Sequence, residues 1–172
     1  MSAAMSVLDV MRESGLRPNV RTYTTLMQGW IELKEMNRAM DLFKQMKRNK
    51  RVRPDIVSYT LLINGWSRSM RRMDMAEKVM QDLMNNRDVS PDERTFGALI
   101  NGYRCQFRDD RQWRAERMYF WLCKMRDLRI KPNHHTAKPF TCMNLYFPAV
   151  DEPFWTTDFG MPFDPRRHCR HR

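Results

Sequence analysis

The chain is 172 residues long and sets 31 Lys and Arg against 20 Asp and Glu, a formal net charge of +11. Charged residues break every apolar run well short of the ~18 apolar residues that a membrane-spanning helix needs, which excludes a transmembrane role. An apolar fraction of 42% excludes general disorder and fits one soluble, basic domain whose charge suits an anionic partner.

Residues 1–15 contain Asp9 and Glu13 and no apolar stretch of signal-peptide length, so no secretory signal is expected. They also lack the Arg-rich, acid-poor character of an organelle transit peptide, so targeting is not legible here. Ala4, Leu8 and Met11 lead through Gly15 to Pro18-Asn19 and read as a single helix that closes a preceding unit, residues 1–19.

Three segments then open alike. They are Val20-Arg-Thr-Tyr-Thr-Thr-Leu-Met-Gln-Gly-Trp30, Ile56-Val-Ser-Tyr-Thr-Leu-Leu-Ile-Asn-Gly-Trp66 and Glu93-Arg-Thr-Phe-Gly-Ala-Leu-Ile-Asn-Gly-Tyr103. Each follows a Pro-Asn or Pro-Asp dipeptide, at Pro18, Pro54 and Pro91, and a fourth such dipeptide stands at Pro132-Asn133. A period near 36 residues is the signature of a repeat architecture.

Within each unit the apolar residues recur at helical spacing, first around Tyr23, Tyr59 or Phe96. A second stripe follows: Ala39, Leu42, Phe43, Met46; then Ala76, Val79, Met80, Leu83; then Ala115, Met118, Tyr119, Leu122. Each unit is therefore a helix pair, A then B. Proline ends helix B, and Asp or Asn caps the next helix A. The expected units are 20–55, 56–92 and an extended 93–133, followed by a degenerate capping segment, 134–147, and an irregular basic tail, 148–172. Gly29, Gly65 and Gly102 recur inside helix A, where Gly costs ~1 kcal/mol, and suggest close helix packing.

These residues resemble the pentatricopeptide repeat family, whose units run roughly Val-Thr-Tyr-Asn-Thr-Leu-Ile-x-Gly, then Ala-x-x-Leu-Phe-x-x-Met, then Pro-Asp. Val20-Arg-Thr-Tyr-Thr-Thr-Leu26, Ala39-Met-Asp-Leu-Phe-Lys-Gln-Met46 and Pro54-Asp55 fit almost throughout, and the resemblance covers residues 4 to about 138. It implies an all-α fold, a right-handed α-solenoid, in which each unit presents one base of single-stranded RNA to two or three side chains. It also implies RNA rather than DNA as partner, no cofactor, and a mitochondrial location with the plastid as alternative.

In such a unit the fifth and last residues do most of the reading. Carried onto this chain, the reading pairs are Thr24 with Asp55 and Thr60 with Asp92, a combination that the family uses for guanine. The second position holds Arg21, Val57 and Arg94; Val57 fits the small aliphatic residue that sandwiches bases, and the two arginines can stack or bind phosphate. The third unit departs from the pattern, because Gly97 offers no side chain opposite Asn133, and it is assigned no base. Helix capping by the two Asp residues is the competing reading of these positions.

Further phosphate contacts are expected from basic clusters: Lys47, Arg48, Lys50, Arg51 and Arg53; Arg68, Arg71 and Arg72; Arg104, Arg108, Arg111 and Arg114; and Arg166, Arg167, Arg170 and Arg172. The sixteen methionines read as adaptable core. The four cysteines form no CxxC pair, and His168, Cys169 and His171 lack an upstream ligand pair, so no metal is expected. Asp158-Phe-Gly160 stands without the other kinase motifs, and no nucleophile and base pair or phosphate loop is present, so the chain reads as a non-enzyme.

Two complete reading pairs hardly secure an RNA site alone at ~1–3 kcal/mol of stacking per base. With the distributed charge they favour a subunit of a larger ribonucleoprotein, such as the mitochondrial ribosome, with protein partners beside the RNA. The alternatives are a free maturation or stability factor for one transcript and a repeat-derived protein scaffold.

Overall fold

The computed structural model describes residues 3–49, 51–69, 71–104, 111–131 and 136, and every regular element among them is helical. The elements are α1 (Ala3–Glu13), α2 (Val20–Glu32), α3 (Met36–Arg48), α4 (Ile56–Asn64), a π-turn (Gly65–Ser69), α5 (Met73–Met84), α6 (Glu93–Arg104) and α7 (Arg111–Asp127). They fall into two compact units, Met1–Ser90 and Pro91–Arg172.

Each A helix starts where its polar cap satisfies a free backbone N–H. Asn19 accepts from the Thr22 amide at 2.9 Å, and the Thr22 hydroxyl accepts from the Asn19 amide at 3.4 Å, closing a capping box. Asp55 accepts from the Ser58 amide at 2.9 Å, and Asp92 from the Thr95 amide at 2.8 Å. Such caps are each worth about 1 kcal/mol.

In the first unit α2 packs on α3, α4 packs on α5, and α2 also lies against α4, so two helix pairs stack side by side. Their core gathers Tyr23, Met27, Phe43, Met46, Tyr59 and Leu62, all at most 2% exposed. Phe43 and Tyr59 meet edge to face at 4.9 Å, joining one pair to the next. In the second unit α6 packs on α7 through Phe96, Leu99, Tyr103, Met118, Trp121 and Leu122. The expected methionine core is present, with Met27, Met36, Met46, Met73, Met80, Met118 and Met125 all buried.

From Gly29 to Ala39 the chain runs ten residues, and from Gly65 to Ala76 eleven. The added residue coincides with the π-turn at Gly65–Ser69, where one wider turn accommodates it without breaking the buried stripe. The turns that follow helix A then use left-handed residues other than glycine, Lys34 at φ 61° and Arg71 at φ 51°.

The expectation that the recurrent glycines mark close packing holds unevenly. A Cβ on Gly65 would lie 2.8 Å from Met36 Sδ and 3.1 Å from Ile31 Cγ2, so the π-turn sits hard against the α2–α3 corner. Gly102 is buried. Gly29 departs from the expectation: it is exposed, and nothing lies within 4 Å of where its Cβ would be.

Several expectations fall outside the described residues: Lys50, Arg108, Asn133, the capping segment 134–147 apart from Thr136, and the tail 148–172 with Arg166, Arg167, Arg170 and Arg172. Arg111 opens α7, but its side chain is likewise outside the described set.

Candidate nucleic-acid interface

Helix A buries one face against its neighbours and leaves the opposite stripe to solvent. On α2 that stripe carries Arg21, Thr24, Thr25 and Gln28, which lie three, four and seven residues after Arg21 and so share one side. Arg21, Thr25 and Gln28 are exposed and Thr24 is half-buried. On α4 the matching positions are Val57 and Thr60. Val57 is 57% exposed on a helix that buries Leu62 and Ile63, so an apolar patch lies beside the half-buried Thr60.

The local hydrogen bonds decide what these side chains can still offer. Thr24 donates its hydroxyl to the Arg21 carbonyl at 3.0 Å, and Thr60 donates to the Ile56 carbonyl at 2.8 Å. A hydroxyl has one proton, so a threonine bonded in this way has only its lone pairs left for any other partner. Asp55 uses Oδ1 twice, accepting from the Ser58 amide at 2.9 Å and the Ser58 hydroxyl at 2.7 Å. Its Oδ2 takes no hydrogen bond among the described residues. Asp92 repeats this pattern with the Thr95 amide at 2.8 Å and the Thr95 hydroxyl at 2.7 Å. Capping orients each carboxylate and leaves it an acceptor over.

Within the first unit, Thr24 on α2 and Asp55 at the start of α4 thus belong to adjacent A helices, and both present acceptors. The Watson–Crick edge of guanine presents N–H donors, which such a pair suits better than adenine. Thr60 lies in the first unit and Asp92 in the second.

The third A helix differs. Arg94 is exposed, but Gly97 is buried, and a Cβ there would meet Thr136 Cγ2 at 3.3 Å. Thr136 is itself fully buried. The fifth position of this repeat is occupied by the protein's own chain.

The basic clusters divide into cations engaged with acids and cations facing solvent. Lys47 binds both carboxylate oxygens of Asp82 at 2.6 and 2.7 Å, and Arg53 pairs with Asp88. Both pairs span 35 residues, so each ties one repeat to the next across the outer helices and inter-repeat turns. Arg72 grips Asp74 through Nε at 3.0 Å and Nη2 at 2.9 Å, and this bond holds the Asp74 carboxyl below its usual pKa and raises that of Arg72. Arg48, Arg51, Arg68 and Arg104 are exposed, whereas Arg71, also exposed, and the half-buried Arg114 have interactions of their own. The acids at one repeat length from Lys47 and Arg53 were the available sequence signal for this division. Lys34, exposed at the corner beneath the π-turn, joins the basic set that composition alone did not single out.

Nearer the core, burial raises the Tyr59 phenol above its usual pKa, and the hydroxyl accepts from Asn86 at 3.1 Å, fixing the chain leaving α5 onto α4. Among the described residues no three His, Cys, Asp or Glu side chains gather as a metal site, and no helix is long and apolar enough to cross a membrane.

The model of the PPR repeat family matches residues 22–68 and 54–105. A crystal structure of the pentatricopeptide repeat protein PPR10 in complex with an 18-nt psaJ RNA element is similar to this chain. The TM-score is 0.65 and the identity 24%, covering 83% of this chain and 20% of that one. A crystal structure of PPR10 from maize gives a TM-score of 0.68 at 25% identity, covering 83% of this chain and 19% of that one. The chain spans about a fifth of the length of these structures. A search of curated protein sequences finds no match. The repeats, their caps and the shared helical architecture together place the chain in the pentatricopeptide repeat family.

Proposed function

We propose that this protein binds single-stranded RNA along its A helices, reading guanine with Thr24 and Asp55; Thr60 in the first unit and Asp92 in the second offer the same residue types. The observation that carries this is that Thr24 has spent its one proton on the Arg21 carbonyl and Asp55 keeps Oδ2 beyond its cap, so that both offer acceptors. Val57 and Arg21 flank the reading positions as surfaces on which a base can rest. The RNA complex of PPR10 supports RNA as the ligand class. The role is one of binding rather than catalysis.

So few reading positions and a surface of exposed arginines suit a subunit held in a larger assembly, and we propose that the protein belongs to a mitochondrial ribonucleoprotein such as the mitochondrial ribosome. Arg48, Arg51 and Arg68 then meet phosphates of structured RNA outside the reading face.

The test compares a labelled oligouridine with the same strand carrying one guanine, by fluorescence anisotropy. Wild type binds the guanine-bearing strand more tightly. Asp55→Asn erases that preference while the fold persists, because Asn19 shows that asparagine makes the same cap. Equal affinity of wild type for the two strands would overturn base reading. For the assembly, ultraviolet crosslinking in organelle extract should place the attached RNA within ribosomal RNA; crosslinks to one transcript alone would replace the ribosomal subunit with a free transcript factor.

A further inference from the structure

Helices α3 and α5 of the first unit keep a polar outer face, as solvated helices do. Counting five residues on from the buried alanines Ala39, Ala76 and Ala115 gives Lys44 in α3, Gln81 in α5 and Phe120 in α7. Lys44 and Gln81 are exposed, as expected, and Phe120 occupies the equivalent position at 42% exposure. A single exposed apolar residue is ordinary. This one is dressed by charge: the Arg117 guanidinium lies 5.2 Å from the ring centroid and the Lys124 ammonium 5.7 Å, one turn before it and one turn after. Beneath it the buried Trp121 braces the ring edge to face at 5.2 Å, so the exposed ring is held in place.

We propose that the outer face of α7 is a second nucleotide-binding surface, in which Phe120 stacks on an RNA base and Arg117 and Lys124 hold the flanking phosphates. The surface lies on helix B, apart from the reading positions on helix A, and the proposal rests on the RNA-binding reading above. An anionic ligand follows from charge. Residues 111–131 hold seven Lys and Arg against Glu116 and Asp127, whereas α5 holds three acids and one lysine. A flat π-face between cations matches a base with its phosphates, and stacking of this kind tolerates any base. Within the second unit it supplies a nucleotide contact that the covered Gly97 does not.

The full chain is titrated into a fluorescein-labelled oligouridine of about 16 nucleotides, a strand without guanine. Phe120→Ala is expected to weaken binding about five-fold or more, and Phe120→Trp to keep it, since tryptophan preserves the stacking face. Arg117→Gln with Lys124→Gln should lower the slope of log affinity against log salt by roughly 0.7 for each phosphate that is no longer neutralised. Unchanged affinity of Phe120→Ala would overturn the proposal, and if that variant instead loses binding to polyglutamate, the face takes an acidic protein segment. If wild type binds the guanine strand with Asp55-dependent preference while Phe120→Ala is silent, base reading stands and this surface alone falls. If wild type binds neither strand, both fall.

Discussion

Helices α2 and α4 of the first unit and α6 of the second begin with the same dipeptide grammar and bury the same apolar register, yet they differ in what they leave open. Thr24 and Thr60 are half-buried on a stripe shared with exposed neighbours, and Val57 stands beside Thr60 at 57% exposure. Gly97 has the same register and lies under Thr136. The repeat pattern dictates how a helix packs on its partner, and the fifth residue and whatever covers it dictate what that helix leaves to solvent. A glycine there does more than omit a side chain. It makes room for the chain itself.

The sharpest way to break this contrast is to give α6 the hydroxyl of the other two. Gly97→Thr should destabilise the protein by about 1–3 kcal/mol, because the added atoms start from a Cβ already at 3.3 Å from Thr136. The helix propensity gained by losing glycine, a few tenths of a kcal/mol, offsets little of this. Urea denaturation measures the loss, and Thr136→Ala in the same background should recover at least half of it. A midpoint unchanged by Gly97→Thr would show that the third repeat has room for a reading residue after all.

Next in size are the caps. Asp55→Ala should cost about 1 kcal/mol by leaving the Ser58 amide without its acceptor, while Asp55→Asn should stay within a few tenths. A loss on Asn substitution as large as on Ala would mean that the carboxylate charge, rather than the cap, holds α4 in place.

Much of this architecture was legible in the sequence because helical periodicity, Pro-Asp punctuation and repeat spacing all point to one fold. The helix pairs, their caps and the buried methionine positions follow from local chemistry. Other features depended on contacts that no local pattern encodes. The extra residue between Gly65 and Ala76 was visible as spacing, but its conversion into a π-turn depends on the corner of Ile31 and Met36 beneath it. Charge was visible as clusters, but the sorting of Lys47 and Arg53 onto Asp82 and Asp88 needed the repeats to be stacked. Thr24 and Asp55 were visible as candidates, and only their hydrogen bonds show that Thr24 has spent its proton and that Asp55 keeps Oδ2 as an acceptor.

The glycines provide a finer test of how far a repeated residue implies a repeated reason. Gly29→Ala should stabilise the protein by about 0.5–1 kcal/mol, since the helix gains propensity and nothing stands within 4 Å of the new methyl. Gly65→Ala must displace Met36, which can swing its flexible end, and also crowd Ile31 at 3.1 Å. It should therefore be less stable than Gly29→Ala by about 1 kcal/mol in the same urea assay. Equal gains at both sites would show that the corner under the π-turn yields freely.

The smallest effect separates cations that hold the stack from cations left for a ligand. Lys47 and Asp82 are about two-fifths exposed, so a double-mutant cycle between Lys47→Gln and Asp82→Asn should give a coupling of only about 0.2–1 kcal/mol, declining with added salt. The same variants have opposite consequences for RNA. Lys47 is already neutralised at 2.6 Å, so Lys47→Gln should leave the salt dependence of binding unchanged, whereas Arg48→Gln with Arg51→Gln removes exposed charges and should lower the slope by roughly 0.7 for each phosphate those arginines neutralise. Asp82→Asn releases Lys47 and should raise the slope toward the value expected when one further phosphate is neutralised. A drop in slope for Lys47→Gln comparable to that of the exposed arginines would mean that the lysine leaves Asp82 for phosphate when RNA binds, and that the link between the two repeats is exchanged for the ligand.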